Sequence, residues 1–567
     1  MNRQRIIEQM RERAVGRTSN RRTFVFGAAA SASGVAASRA GARMQGMPLA
    51  APAFSDTPFT LGVASGEPLP DGVVIWTRLA PLPFESFGGM PLEPVDVRWM
   101  VAEDESFTTV VQQGTAVASP DWGHSVHVEV GGLRPDRWYW YQFVAGQEVS
   151  PVGQTRTAPA PGSPLDGFRF AFASCQRWDH GLYTAYRDMA RQDIDLVVHL
   201  GDYIYESRIG DGASLRSGAF PRIAFSEPRD LEGYRYRYAL YKLDPHLQEA
   251  HRIAPWLVTW DDHEVYDNVF GAMKREDGGG EMLLARRAAA YQAYYEHQPL
   301  RRDAIPAGPD LQLYRRRQFG DLVEFNVLDT RQYRTYQGRA CGDRNRIENG
   351  GFCPASLETE RTMLGASQKQ WLLDGFNATS ARWNVLAQQV PMSRIDNDAS
   401  PEIESFGDDE MDTWDGYAVE RDEIVAAMGA AAQARSFNPV VITGDVHANY
   451  VWDLKSDWDD GTAESIIGTE FVGTSISSFG DEEIDNDGGF TTECGNRNGN
   501  AHNHLFDNHR GYVLCTLSPH QWRADYRVLP TVKDEQATAS TLTSFVVEHG
   551  RPGAQLAGEC VNASPDS

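Results

Sequence analysis

Short apolar runs broken by polar loops cover most of this chain, and the grammar of those runs changes once along it. Between residues 54 and 161 the pattern is of β type: VVIWTRL, VDVRWMVA, HSVHVEVGGL and WYWYQFVAG alternate or run apolar, separated by Pro, Gly and Asp turns. Strands this short at this spacing predict an all-β sandwich. Residues 155–165, TRTAPAPGSPL, are rich in Pro, Gly and small side chains and read as a linker. From about Phe168 apolar strands alternate with helical stretches over 183–192, 282–297 and 367–376, which predicts an α/β layered sheet.

Five of the apolar runs end in the same way, on a loop that carries acids, histidine or cysteine. They read FRFAFASCQRW with Cys175, LVVHLGDYIYE with Asp202 and Tyr205, WLVTWDDHEVYDN with Asp262, His263 and Asn268, FNVLDTRQY with Asp329, and VVITGDVHANYV with Asp445 and His447. Ligands of α/β sheets bind beyond the carboxyl ends of strands, which is where all five loops fall.

The residue types suit two kinds of metal. Gly201 permits a tight turn, so Asp202 can sit at a strand tip and bridge two cations with its two oxygens. Tyr205 and Cys175 bind metal only when deprotonated, and a phenolate beside a thiolate favours a charge-dense ion such as ferric iron. His447 can direct an imidazole to that ion while Asp445 turns to its neighbour, and Asp445 and Asn268 are hard oxygen donors suited to calcium, magnesium or manganese. His263 either donates a proton to a leaving alkoxide or orients phosphate.

Charge and targeting narrow the partners. Asp and Glu outnumber Lys and Arg by 78 to 53, a formal charge of −25, which argues against a nucleic acid backbone as partner. No apolar run past the N-terminus is long enough to span a membrane, so no stable membrane insertion is expected. Residues 1–53 read as a twin-arginine signal peptide and leader: Arg21 and Arg22 precede an Ala-rich apolar run, with small-residue cleavage sites after it. The twin-arginine export machinery is therefore an expected partner of the precursor, and the protein is expected outside the cytoplasm. Export permits disulfides. Cys341 and Cys353 bracket a polar loop as a local staple, while Cys494, Cys515 and Cys560 offer one further pair and a leftover.

The motifs SCQ, GDYIYE, WDDHEVYDN, DTRQYR and GDVHANYV together resemble the PhoD-type alkaline phosphatases, a group that includes some secreted phospholipases D and is distantly related to purple acid phosphatases. The resemblance covers nearly the whole mature chain. In the wider metallophosphoesterase pattern the corresponding blocks end in Gly-Asn-His and Gly-His-x-His; here Asp262 stands for the Asn and Asp445 for the first His, which moves the second metal site toward oxygen donors. The family fold implied is a layered metallophosphoesterase β-sheet sandwich flanked by helices over 162–567. Before it, over 54–161, Gly131 to Pro135 and the aromatic run Trp138 to Tyr141 resemble an immunoglobulin or fibronectin-like domain.

Carried onto matching positions, the resemblance implies Cys175, Asp202, Tyr205 and His447 around Fe3+, with Asp202, Asn268 and Asp445 serving Ca2+. Asp262 either ligates calcium or holds His263, and Arg331 either contacts substrate phosphate or pairs with Asp329. The expected activity is hydrolysis of phosphate esters at alkaline pH, by in-line attack of a metal-bound oxide or hydroxide. Phosphodiester or phospholipid cleavage on the same metals is the alternative, and a non-catalytic binding protein on a dead phosphatase fold is the other.

Overall fold

Two mixed β-sheets pack face to face, with helices on both outer surfaces, in a computed structural model that describes residues 54, 56–210, 215–216, 220–269, 281–335, 354–395, 412–458, 460, 462–480, 490–495 and 500–563. The leader at 1–53 and the Cys341–Cys353 staple lie outside the described residues. The first sheet has ten strands, ordered Arg551–Leu556, Ser540–Glu548, Gln521–Leu529, Arg510–Leu517, Phe168–Ala173, Leu196–His199, Trp256–Val258, Val63–Leu69, Gly72–Arg78 and Ser125–Val130. The second has eight, of which Val323–Val327, Trp383–Ala387, Asn438–Thr443 and Ile466–Val472 run parallel as neighbours.

Apolar side chains on alternate positions dictate this layering. Phe168, Phe170 and Phe172 of the first sheet meet Phe325, Trp383, Val385 and Ile442 of the second in one buried core. The opposite face of the ten-stranded sheet is covered by the helices Thr184–Met189, Leu231–Lys242, Pro245–Ile253 and Glu281–His297. Helices Gly365–Ala378 and Ala418–Arg435 cover the outer face of the other sheet. Local chemistry starts two of the helices, Leu231–Lys242 and Pro245–Ile253: the Asp230 carboxylate accepts from Gly233 N–H at 2.9 Å, and Asp244 accepts from His246 and Leu247 N–H just before Pro245. Among the described residues no helix is long and apolar enough to cross a membrane.

Among its described residues the segment 54–161 holds strands and short 3₁₀ turns: Gly72–Arg78, Val95–Ala102, Ser125–Val130 and Trp138–Ala145 fall on the four runs named above, while Val63–Leu69, Val110–Ala118, Glu148–Val149 and Gly153–Arg156 fall outside them. Its five-stranded sheet closes over Val63, Val73 and Ile75 with Val97, Tyr139, Tyr141 and Phe143. The opposing layer, however, is shared: Val63–Leu69 pairs in parallel with Trp256–Val258, so three strands of this segment extend the large sheet. The described residues of this segment accordingly pack as one unit with those that follow. Cys494 and Cys560 form a disulfide, leaving Cys515 and Cys175 as buried free thiols.

One buried ion cluster fastens the two sheets. Glu67, at φ 51° in the strand Val63–Leu69, receives Arg315 Nε at 2.7 Å and Arg317 Nε at 2.9 Å from the edge strand Arg315–Phe319. Burial alone would raise its pKa, but Arg315, Arg317 and Arg301 hold it down at about 2. Glu67→Ala removes the carboxylate partner of two guanidinium groups whose side chains are each 12% exposed, and is expected to cost about 3 kcal/mol. Because the folded pKa lies below the ordinary 4.5, this stabilisation is complete above pH 4.5 and lost as pH falls through about 2. Urea unfolding of both proteins from neutral to acid pH checks it; a difference that did not shrink in acid would contradict the assignment.

Candidate metal centre

Loops leave Phe168–Ala173, Leu196–His199 and Trp256–Val258 at their carboxyl ends and meet loops from Val323–Val327 and Asn438–Thr443 of the facing sheet. Ser174 and Ser475 form a parallel bridge where the two sheets converge. The approach is close enough to require glycine at two points. A Cβ at Gly444 would lie 2.6 Å from Ser174 Oγ, and one at Gly201, where φ is 113°, would lie 2.4 Å from the Asp261 Cβ.

Five of the six expected metal ligands adopt left-handed backbone: Cys175 (φ 58°), Asp202 (57°), Asn268 (52°), Asp445 (67°) and His447 (52°). Non-glycine residues avoid this region, and such conformations cost about 1–3 kcal/mol each unless surrounding structure imposes them. Their concentration at strand tips marks a site where side-chain aim outweighs backbone comfort.

The aim produces three overlapping donor groups, the atoms of each lying within 4.8 Å of one another. They are Cys175, Asp202 and His447; Asp202, Asp262 and His263; and Asp202, Asp261, Asp262 and Asp445. Asp202 is common to all three. Tyr205 joins the first group, its hydroxyl 3.0 Å from His447 Nε2 and 2.9 Å from Ser478 Oγ. His447 Nδ1–H donates to the Phe479 carbonyl at 2.6 Å, so Nε2 is the nitrogen presented to the centre.

Cations fit these donors. Asp202 Oδ1 and Asp261 Oδ2 are buried without a hydrogen-bond partner among the described residues, a costly state for a carboxylate oxygen. Burial, with the neighbouring aspartates, pushes the Asp202 and Asp445 carboxyls well above the usual range. Burial likewise raises the Cys175 thiol and the Tyr205 phenol, each further raised by Asp202. Four clustered carboxylates with a thiol and a phenol form a donor set that a metal ion converts from mutual repulsion into ligation. Such a donor set is suited to hold a metal ion.

Buried groups hold the ligands in place. The Glu264 carboxylate accepts the backbone N–H of Asp202 at 3.0 Å, that of Asp261 at 2.8 Å and that of Tyr203, tying two metal loops together. Arg331, with no exposed side-chain surface, pairs with Asp261, with Asp412 at 2.6 Å and with Asp445 at 3.4 Å. The ion pair weighed between Arg331 and Asp329 is not made; Asp329 accepts the Arg331 backbone N–H at 3.1 Å instead.

His263 is oriented by Glu206, whose carboxylate receives Nδ1 at 2.8 Å, while Asp262 accepts only the His263 backbone N–H. Burial alone would lower the His263 pKa, yet Asp262, Glu206 and Asp202 raise it well above the ordinary histidine value. The ring packs on Tyr205, centroids 4.2 Å apart. Asn268 is drawn to the cluster by its backbone N–H, which donates to Asp262, and its side-chain amide donates to Asp267 at 3.3 Å.

Sequence reasoning passed over Asp261, Glu206, Glu264 and Asp412. The first three lie inside the quoted motifs, in WDDHE and GDYIYE, so a signal existed. Asp412 follows no apolar run and is one of five acids among residues 408–415.

Comparisons with known proteins agree with this geometry. Residues 170–526 match the PhoD-like phosphatase family and residues 44–159 match the N-terminal domain of PhoD-like phosphatases. Alkaline phosphatase D of Bacillus subtilis (strain 168) is 46% identical over 510 residues, covering 89% of this chain and 83% of that protein. A solved structure described as PhoD superposes with a TM-score of 0.78 at 43% identity, covering 90% of this chain and 94% of the other. With likeness of this degree in sequence and in fold over nine-tenths of its length, the chain belongs to the PhoD-like phosphatase family.

Proposed function

We propose that this phosphatase is exported by the twin-arginine route and hydrolyses phosphate esters at alkaline pH on a mixed centre of Fe3+ and Ca2+. The carrying observation is that one carboxylate, Asp202, is shared by a soft, anionic donor group and a hard oxygen group. Cys175, Tyr205, Asp202 and His447 suit ferric iron, and Asp202, Asp262, Asp445 and Asn268 suit calcium. Such ions would supply Lewis acidity, neutralising phosphate oxygens and lowering the pKa of coordinated water.

The chain's own residues do the rest. Glu206 holds the Nδ1 side of His263, which leaves Nε2 to deliver a proton to the departing alkoxide. Arg331 and Glu264 keep the aspartate loops from recoiling from one another. Ser174 and Cys175 need not act as nucleophiles, since Cys175 belongs to a donor group and Ser174 to the bridge between sheets. Protein recovered from the extracytoplasmic fraction and purified without added metal is expected to contain iron and calcium and to absorb visible light through its thiolate and phenolate. It should hydrolyse 4-nitrophenyl phosphate faster than bis(4-nitrophenyl) phosphate or phosphatidylcholine. A colourless, iron-free and fully active preparation would sink the iron assignment, and faster diester or phospholipid cleavage would favour the alternative substrates.

A further inference from the structure

Substrate phosphate carries negative charge into a centre lined by aspartates, and a cation of the protein beside the metal groups would complement it. Arg331 is engaged and fully buried. Arg510 Nη1 is turned away to the carbonyls of His447 and Asn508, and Arg237 is buried beneath, donating to the carbonyls of Tyr205 and Ser207. Arg177 differs from all three.

Arg177 stands two residues beyond Cys175 and its backbone is clamped: the N–H donates to Ser478 Oγ at 3.1 Å and the carbonyl accepts from Ser477 Oγ at 2.8 Å. Ser478 is the same side chain that contacts the Tyr205 hydroxyl and the Cys175 carbonyl, so Arg177 is built on the frame of the centre. Asp179 holds the guanidinium from one side, through Nε at 3.1 Å and Nη2 at 3.5 Å. Its Cζ lies 5.5 Å from the Tyr205 ring centroid, a fifth of the side chain (20%) is solvent-exposed, and Nη1 has no hydrogen-bond partner among the described residues.

Resting on the phosphatase reading, we propose that Arg177 binds the substrate phosphate, donating from its open Nη1 edge to a non-bridging oxygen, and that it favours the dianionic phosphate of a monoester over a diester. The geometry has what such a contact needs: a fixed guanidinium, one unpaired edge and access from solvent. Asp179 is its positioning residue.

The test compares wild type with Arg177→Gln and Arg177→Lys, each loaded with metal. Arg177→Gln is expected to raise KM for 4-nitrophenyl phosphate about ten- to a hundredfold, the range for one charge-assisted contact, and to weaken inhibition by inorganic phosphate to match. KM for bis(4-nitrophenyl) phosphate, with one charge fewer, rises less; Arg177→Lys recovers part of the loss; metal content stays at the wild-type level. Unchanged KM and phosphate inhibition in Arg177→Gln would overturn the proposal. So would loss of metal along with affinity, which would make Arg177 a prop of the centre. Calorimetric binding of inorganic phosphate needs no turnover, so a wild type that hydrolysed no ester would defeat the phosphatase reading while the Arg177 comparison stayed decisive.

Discussion

Replacing Asp202 by asparagine is expected to lower turnover of phosphate esters on the order of a thousandfold or more, with the fold intact. The carboxylate sits in every donor group, and its Oδ1 has no hydrogen-bond partner among the described residues. An amide in its place would present an N–H where the proposed cations need an oxygen and would remove the charge proposed to serve both. The loop itself should hold its shape, because Glu264 grips it through the backbone N–H of Asp202 and Tyr203 rather than through the side chain. Removing a buried negative charge among Asp261, Asp262 and Asp445 also relieves repulsion, so the metal-free variant should melt no lower than metal-free wild type. Turnover, metal content and thermal unfolding measured together check this. A variant that kept its metals and its rate would refute the bridging role of Asp202, and one that unfolded would show Asp202 to be structural.

His263→Ala carries the second large effect, and here the leaving group is the diagnostic. General acid catalysis contributes about 10²–10⁴-fold, and only where the departing oxygen needs a proton. An alkyl phosphate should therefore slow by that factor, while 4-nitrophenyl phosphate, whose leaving group departs as a stable anion, slows far less. Glu206→Gln should show a smaller version of the same pattern, since the carboxylate fixes the ring through Nδ1 without touching substrate. The Glu206 carboxylate at Nδ1 favours the imidazolium form needed of an acid. Equal slowing of both substrates would assign His263 to phosphate orientation instead.

Much of the site was legible because its chemistry is local. Cys175, Asp202, Asp262, Asp445 and His447 lie two to four residues past a strand end, whereas Tyr205 and Asn268 lie six and ten past one; a strand tip is where a two-residue periodicity gives way to backbone free to turn. Cys175, Asp202, Asp262, His263, Asp445 and His447 could be picked by that rule, and the structure gathers them into shared donor groups. The rule selects a loop more surely than a residue. In WDDHE it favoured Asp262 and His263, yet Asp261 also enters a donor group and Glu264 clamps three backbone N–H groups. In GDYIYE it reached Tyr205 and stopped short of Glu206, which orients His263 from 57 residues away.

Arg331 makes the limit plainest. Its neighbour in sequence, Asp329, was the obvious ion partner, but its guanidinium reaches Asp261, 70 residues earlier, and Asp412, 81 residues later. The helix Glu281–His297 and the strand Val95–Ala102 fall on stretches that the sequence marks as helix and strand, whereas the parallel pairing of Val63–Leu69 with Trp256–Val258 has no such mark. A strand's apolar alternation states which face is buried and says nothing of which neighbour it pairs with.

The sequence by itself determined the ligand types, their places at strand ends and, through resemblance, the family. Tertiary structure alone decided that one carboxylate lies in every donor group, that Glu206 rather than Asp262 orients His263, and that Arg331 is buried among aspartates while Arg177 keeps an open edge. The reason is physical: donor chemistry and strand propensity belong to a residue and its neighbours, but charge compensation and exposure depend on distances of a few ångströms between segments that only the facing of two sheets brings together.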